Sequence, residues 1–277
     1  MESSLNTLTI IAVFFLGWLG VWSIIAIPLG RKLAWQPFRP TPPEQKLALL
    51  LPLYSLAPIS IAIANRQLGQ TWADQGLLWT LDHAIGLLLG WCIAIAGLGL
   101  LLLGKRLLGL VTFPQSEMGS SPTPLSPNRL FTILGLLILG LAIGGIEEWV
   151  FRGWLQTQLE LAFSPWYAAI AASVVFALAH LVWEGRPGLW QQPGLWLLGM
   201  VLVSARWADG GAIAIAWGLH AGWVTGLAYI GEFMQPLPVA GKPTWLTGRA
   251  AQPLTDVLDL TLLMVTAGLV WQLSRWV

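Results

Sequence analysis

Eight apolar runs, each long enough or nearly long enough to cross a lipid bilayer, constrain this chain more than anything else in it. They cover residues 8–29, 47–64, 84–103, 130–162, 166–183, 189–205, 212–230 and 257–274. A span needs about 20 apolar residues in a helix, because backbone amides find no water in hydrocarbon and must pair within the segment. Composition agrees: 56% of the 277 residues are hydrophobic and 10% charged, against roughly 25% charged in a soluble domain. The chain lacks the polar material to cover a water-facing surface. A soluble α/β enzyme, a disulfide-stapled secreted domain and a disordered chain are excluded. The expected fold is all-α, a polytopic transmembrane bundle of about eight spans.

Charge narrows the partners. Lys plus Arg number 14 and Asp plus Glu 13, a net +1 that offers no basic face to nucleic acid. The one cysteine, Cys92, lies in an apolar run, so neither an intrachain disulfide nor a thiolate metal cluster is expected. Met1–Thr9 holds Glu2 and no Lys or Arg, so the first run reads as a retained anchor rather than a signal peptide. Residues 30–46 carry Arg31, Lys32, Arg39 and Lys46 against Glu44 alone. Residues 104–129 open with Lys105-Arg106 and become Ser- and Pro-rich, a linker composition. Residues 231–256 hold Pro236, Pro238, Pro243 and Pro253 and read as an ordered or semi-ordered excursion. The excess of Lys and Arg places 30–46 and 104–129 in the cytoplasm and the N-terminus outside. The expected organisation is three helices and a cytoplasmic linker over 1–124, then a bundle carrying the chemistry over 125–277. The protein is expected to be multi-pass, with the lipid bilayer as a partner and the plasma membrane of a prokaryote as its place.

Gly86-xxx-Gly90, Gly140-xxx-Gly144 and Gly218-xxx-Gly222 put small residues on one helix face, where backbones can approach closely in lipid. The third pair brackets a histidine.

Ionisable groups inside apolar segments carry the functional information, since a charge near the bilayer centre costs at least about 2.5–3.5 kcal/mol. They are Glu147, Glu148 and Arg152 in IGGIEEWVFRGWLQ, His180 in SVVFALAHL and His220 in AIAWGLHAGW. His83 with Asp82 lies at a span boundary and reads as interfacial. Glu148 and Arg152 are spaced i, i+4 and can pair, whereas Glu147 is turned about 100° away and has no partner in its own segment. Phe176 and His180 share the same i, i+4 spacing. Ser164-Pro165 marks a helix start, with Ser126-Pro127 marking the start of the helix before it. Glu147 precedes Ser164 by 17 residues and His180 follows it by 16, so in antiparallel helices both reach a similar depth. Singly, each histidine reads as an interhelical hydrogen bond and the Glu–Arg pair as a structural salt bridge. Together at one depth they mark catalysis, a proton relay or a substrate path.

These residues, in order, resemble the motifs of a known family. Glu147-Glu148-x-x-x-Arg152, then Phe176-x-x-x-His180, then Gly-Leu-His220-Ala-Gly-Trp are similar to those of the CPBP family, the type II CAAX prenyl endopeptidases and bacteriocin-processing or Abi proteins. The resemblance covers about residues 125–230. It implies an intramembrane endopeptidase with a cavity open to the cytosol. It further implies Glu147, His180 and His220 as catalytic residues, with Glu148 and Arg152 in support. The chain departs from the family's His-x-x-x-Asn at Val224, which has no hydrogen-bond donor for an oxyanion; such a loss costs about 10²–10³ in rate.

Amide hydrolysis in a membrane needs a water deprotonated and aimed, and an oxyanion stabilised. Glu147 is the candidate base. Alternatively, Glu147, His180 and His220 hold zinc, since two histidines, a glutamate and a water form a known catalytic set; Glu148 is then the remaining base. Ser173 and Ser204 lack the companions of a nucleophilic serine. Rival readings are a small-solute transporter, for which repeated halves are not evident, and a non-catalytic relative acting as an immunity protein or membrane scaffold. The expected substrate is a peptide or a membrane protein. Ser274-Arg-Trp-Val277 has no CAAX cysteine, so the chain does not read as such a substrate itself.

Overall fold

The computed structural model describes residues 2–113, 127–249 and 252–273. The Ser- and Pro-rich part of the expected linker, the proposed cap Ser126 and the C-terminal Ser274–Val277 lie outside the described residues.

Over the described residues each apolar run is mostly helical. The elements are α1 (Glu2–Lys32), α2 (Pro43–Leu68), α3 (Leu81–Leu107), α4 (Pro127–Glu148), α5 (Gln156–Glu160) and α6 (Pro165–Glu184). They continue with α7 (Gln192–Ala208), α8 (Ala214–Tyr229), the short α9 (Thr244–Thr247) and α10 (Val257–Leu273). Five rods are by themselves long and apolar enough to cross a membrane: Ser4–Lys32, Pro43–Leu68, Leu81–Leu107, Asn128–Glu160 and Pro165–Glu184. The 16 residues of α8 run on into a π-helical turn, Ile230–Met234, which brings that rod to about 30 Å, close to the hydrocarbon thickness. The fold is the expected all-α membrane bundle. Helix α6 begins at Pro165 as expected, although Ser164 makes no side-chain capping bond.

One element departs from expectation. The run 130–162 is not a uniform α-helix, because a π-helical turn, Trp149–Leu155, joins α4 to α5. Packing accounts for it: Val150 through Leu155 are all buried, and the turn meets neighbours on several sides. Phe14 of α1 stacks on Trp154 at 3.8 Å between ring centroids, Phe151 meets Phe176 of α6 edge-on at 5.3 Å, and the Trp149 indole donates to Gln75 Oε1 at 3.1 Å. A wider turn presents more residues inward than an α turn does, and such turns are frequent at functional sites. A constant rise of about 1.5 Å per residue therefore does not hold across this segment.

The three glycine pairs form one interface centred on α8. A Cβ at Gly218 would meet the Leu87 backbone of α3, and one at Gly222 would lie 2.8 Å from Trp91 O. In return Gly90 abuts Ile215 O, and Gly144 of α4 would place a Cβ 2.8 Å from Ala221 N. Helix α8 is thus clamped between α3 and α4, and His220 is fixed by backbone-to-backbone packing.

The connections fall on two faces. On one, residues 33–42 strap over the end of α6 through Phe38 N–H to Val182 O and Thr41 N–H to Trp183 O, both 2.9 Å. Gly185, at φ 61°, lets that strap approach where a Cβ would strike Phe38 O. On the same face β1 (Val111–Thr112) pairs antiparallel with β2 (Leu237–Pro238), Lys105 bridges Asp256 and Asp259 at 2.7 and 2.6 Å, and Arg249 stacks over Trp190. On the other face residues 69–80 meet the α7–α8 turn through Ile213 N–H to Gly76 O at 3.0 Å.

Candidate active site

Four elements supply the polar interior. The end of α4 brings Glu147 and Glu148, the π turn brings Arg152, α6 brings Phe176 and His180, and α8 brings His220. Helix α2 adds Tyr54. Glu148, Arg152 and His220 are buried, while Glu147 and His180 are partly exposed.

Glu148 is the hub. Its Oε1 accepts from Arg152 Nη1 at 3.0 Å and meets His220 Nδ1 at 2.7 Å. The pairing with Arg152 is the one the spacing predicts; the bond to His220 joins helices 72 residues apart in sequence and is not legible there. Arg152 Cζ also sits 4.2 Å from the centroid of Phe176, so the guanidinium lies between a carboxylate and an aromatic face.

Phe176 organises both imidazoles. Its ring contacts His180 at 4.7 Å and His220 at 5.8 Å, edge-on in each case. Its carbonyl meets His180 Nδ1 at 2.8 Å. A carbonyl or carboxylate oxygen is an acceptor, so each histidine carries its proton on Nδ1 and, when neutral, leaves Nε2 with a lone pair. His220 Nε2 stands 3.6 Å from Glu147 Oε2, beyond a direct hydrogen bond but within reach of a shared water. Tyr54 donates its hydroxyl to the other oxygen, Oε1. Glu147 interacts electrostatically with His220, with His180 and with Lys46, which is paired to Glu184 at 2.8 Å. Glu147 and His220 therefore face one region, and Phe176 sets His180 on the same side through its contacts with both imidazoles.

That region adjoins an apolar groove between α2 and α4. The groove has a volume of about 590 Å³, and Leu51, Tyr54, Pro58, Leu139, Ile143 and Ile146 are among the residues lining it. Tyr54 belongs to both groove and carboxylate cluster. A mid-span tyrosine needs a hydroxyl partner, which was the one sequence signal available for it. Lys46 gave none beyond its place in a basic loop.

Two other expectations meet the geometry. Among the described residues no three His, Cys, Asp or Glu side chains are arranged to hold a metal ion. The set Glu147, His180 and His220 does not close into a ready zinc triad. Val224 is partly buried on α8 one turn beyond His220, and neighbouring Thr225 is turned away, its Oγ1 3.5 Å from Leu136 O on α4.

Comparison with known proteins matches residues 129–226 to the family described as type II CAAX prenyl endopeptidase Rce1-like. No curated protein matches the chain. The matched segment holds Glu147, Glu148, Arg152, His180 and His220 and nearly coincides with the stretch over which the motifs resemble the CPBP family. That family supports intramembrane protease activity, a peptide substrate and a membrane setting in general. Residues 129–226 are thus similar to the type II CAAX prenyl endopeptidase family, within a chain whose long apolar helices make it an integral membrane protein.

Proposed function

We propose that the chain is an intramembrane endopeptidase with Glu147 as general base. Neutral His220 accepts one hydrogen of a water at Nε2, and Glu147 takes the other as the oxygen attacks the scissile carbonyl carbon. The tetrahedral intermediate collapses with cleavage of the C–N bond, and the proton held by Glu147 passes to the departing amine. Glu148, neutralised by Arg152, fixes the orientation and tautomer of His220. His180, oriented by the Phe176 carbonyl, completes the polar wall against which the peptide lies. The observation that carries this reading is the 3.6 Å separation of Glu147 Oε2 from His220 Nε2, with Oε2 buried and lacking a hydrogen-bond partner among the described residues. The substrate class is a peptide or membrane-protein segment. A prenylated CAAX substrate, suggested by the family description, requires a host that prenylates proteins.

The test is cleavage of quenched-fluorescent peptides with apolar flanks by the purified full chain in detergent. Glu147→Gln keeps shape and hydrogen bonding but cannot accept a proton, so turnover should fall by about 10² or more. A chelator should leave the wild-type rate unchanged; loss of activity that zinc restores would replace the glutamate base with a metal site. A second reading, a non-catalytic scaffold or immunity protein, is favoured by Val224, which places no donor one turn beyond His220. Wild-type protein inert on every peptide would support it.

A further inference from the structure

Hydrolysis needs a donor for the oxygen that becomes negative when the carbonyl is attacked. Most nearby donors are turned elsewhere. Arg152 Nη1 is bonded to Glu148 and its guanidinium lies over Phe176, while its Nε and Nη2 are buried without a hydrogen-bond partner among the described residues. The Nδ1 atoms of His220 and His180 are turned to Glu148 and to the Phe176 carbonyl. Val224 offers only methyl groups, and Thr225 faces α4. The phenol of Tyr54 is different. Its hydroxyl touches the carboxylate of the proposed base, and its side chain lines the apolar groove between α2 and α4. Ile146, the residue before Glu147, lines the same groove. A peptide lying between α2 and α4 therefore meets the Tyr54 hydroxyl beside Glu147.

We propose that Tyr54 is a further catalytic residue, whose hydroxyl holds Glu147 Oε1 in the free site and donates to the scissile carbonyl oxygen when a peptide occupies the α2–α4 groove. This rests on the endopeptidase reading. The exchange moves no proton between Tyr54 and substrate: the phenol stays protonated and its hydrogen bond passes from one oxygen to another. The new bond strengthens as the carbonyl oxygen becomes an oxyanion, which is the condition for lowering the barrier to the chemical step. The position accounts for catalysis without a donor at Val224.

Tyr54→Phe keeps the ring that lines the groove and removes only the hydroxyl. On the quenched-fluorescent peptides kcat should fall by about 10²-fold, with KM within about twofold because the groove is unchanged. A peptidyl trifluoromethyl ketone, bound as its tetrahedral hydrate, should lose affinity by a factor similar to the loss in kcat, whereas an uncleaved peptide binds as before. A Tyr54→Phe protein with wild-type kcat and wild-type ketone affinity overturns the proposal. So does one without a melting transition in detergent, since the hydroxyl would then be a structural bond. Glu147→Gln, run alongside, separates the two claims: a dead Glu147→Gln with an active Tyr54→Phe removes the role of Tyr54 alone. An active Glu147→Gln, or a wild-type chain inert on all peptides, removes both.

Discussion

Glu147 and Glu148 are adjacent, yet their surroundings assign them different work. Glu147 presents an oxygen toward His220 without bonding it directly, while Glu148 shares one oxygen between Arg152 and His220. From spacing alone, Glu148→Gln should destabilise the fold and leave chemistry alone. The bond to His220 changes that expectation. Glutamine leaves Arg152 without its counter-charge, at a cost of about 3–5 kcal/mol, and it no longer enforces the His220 tautomer, so activity should fall by about 10² or more as well. The double variant Glu148→Gln/Arg152→Met separates these effects. Removing both charges of a buried pair is often neutral, so melting in detergent should recover while peptide hydrolysis stays low. Recovery of both would reduce Glu148 to a purely structural role. All five candidate residues stand out in the sequence because each is ionisable in an apolar run and so expensive to keep. Tyr54 does not: a buried phenol calls for some hydrogen-bond partner, but only the fold shows that α2 delivers it to Glu147.

At the scale of elements, α8 positions His220 because glycine lets three backbones approach. The Gly-xxx-Gly spacing was readable, but its meaning depended on what stood opposite: α3 for Gly218 and Gly222, α4 for Ala221. Gly222→Val should force α3 and α8 apart, since a Cβ there already lies 2.8 Å from Trp91 O. Overpacking of this kind costs about 1–3 kcal/mol and displaces His220 from Glu148, so the melting temperature and hydrolysis should fall together. Gly135→Ala on α4, where nothing lies within 4 Å of an added Cβ, should melt at or slightly above the wild type. Equal behaviour of the two variants would show that close approach at α8 does not position the histidine. Helices were legible because hydropathy over about 20 residues is a strong signal. The π turn at Trp149–Leu155 was not, because it arises from α1, α6 and the 69–80 loop packing on it from three sides.

For the whole molecule, the fold extends an inference that two basic loops could only begin. The 33–42 strap, the β1–β2 pair and the contact between Arg249 and Trp190 put residues 33–42, 108–113, 185–191 and 235–249 on one face. Arg31, Lys32, Arg39, Arg106, Arg186, Lys242 and Arg249 lie in or beside those connections, whereas the opposite face has Arg66 and Arg206 near its loops. Retention of cationic loops on the cytoplasmic side predicts that the first face lies in the cytosol. Lys46 and Glu184 lie at that end of α2 and α6, so Glu147 and His180 would be reached from the cytosol rather than from outside. The orientation is tested by single cysteines in a background lacking Cys92. With an impermeant maleimide on intact cells, Ala73→Cys in the 69–80 loop should label at once, and Arg186→Cys and Lys242→Cys only after permeabilisation. Labelling of Lys242→Cys from outside would invert the protein, and with it the compartment from which a substrate enters.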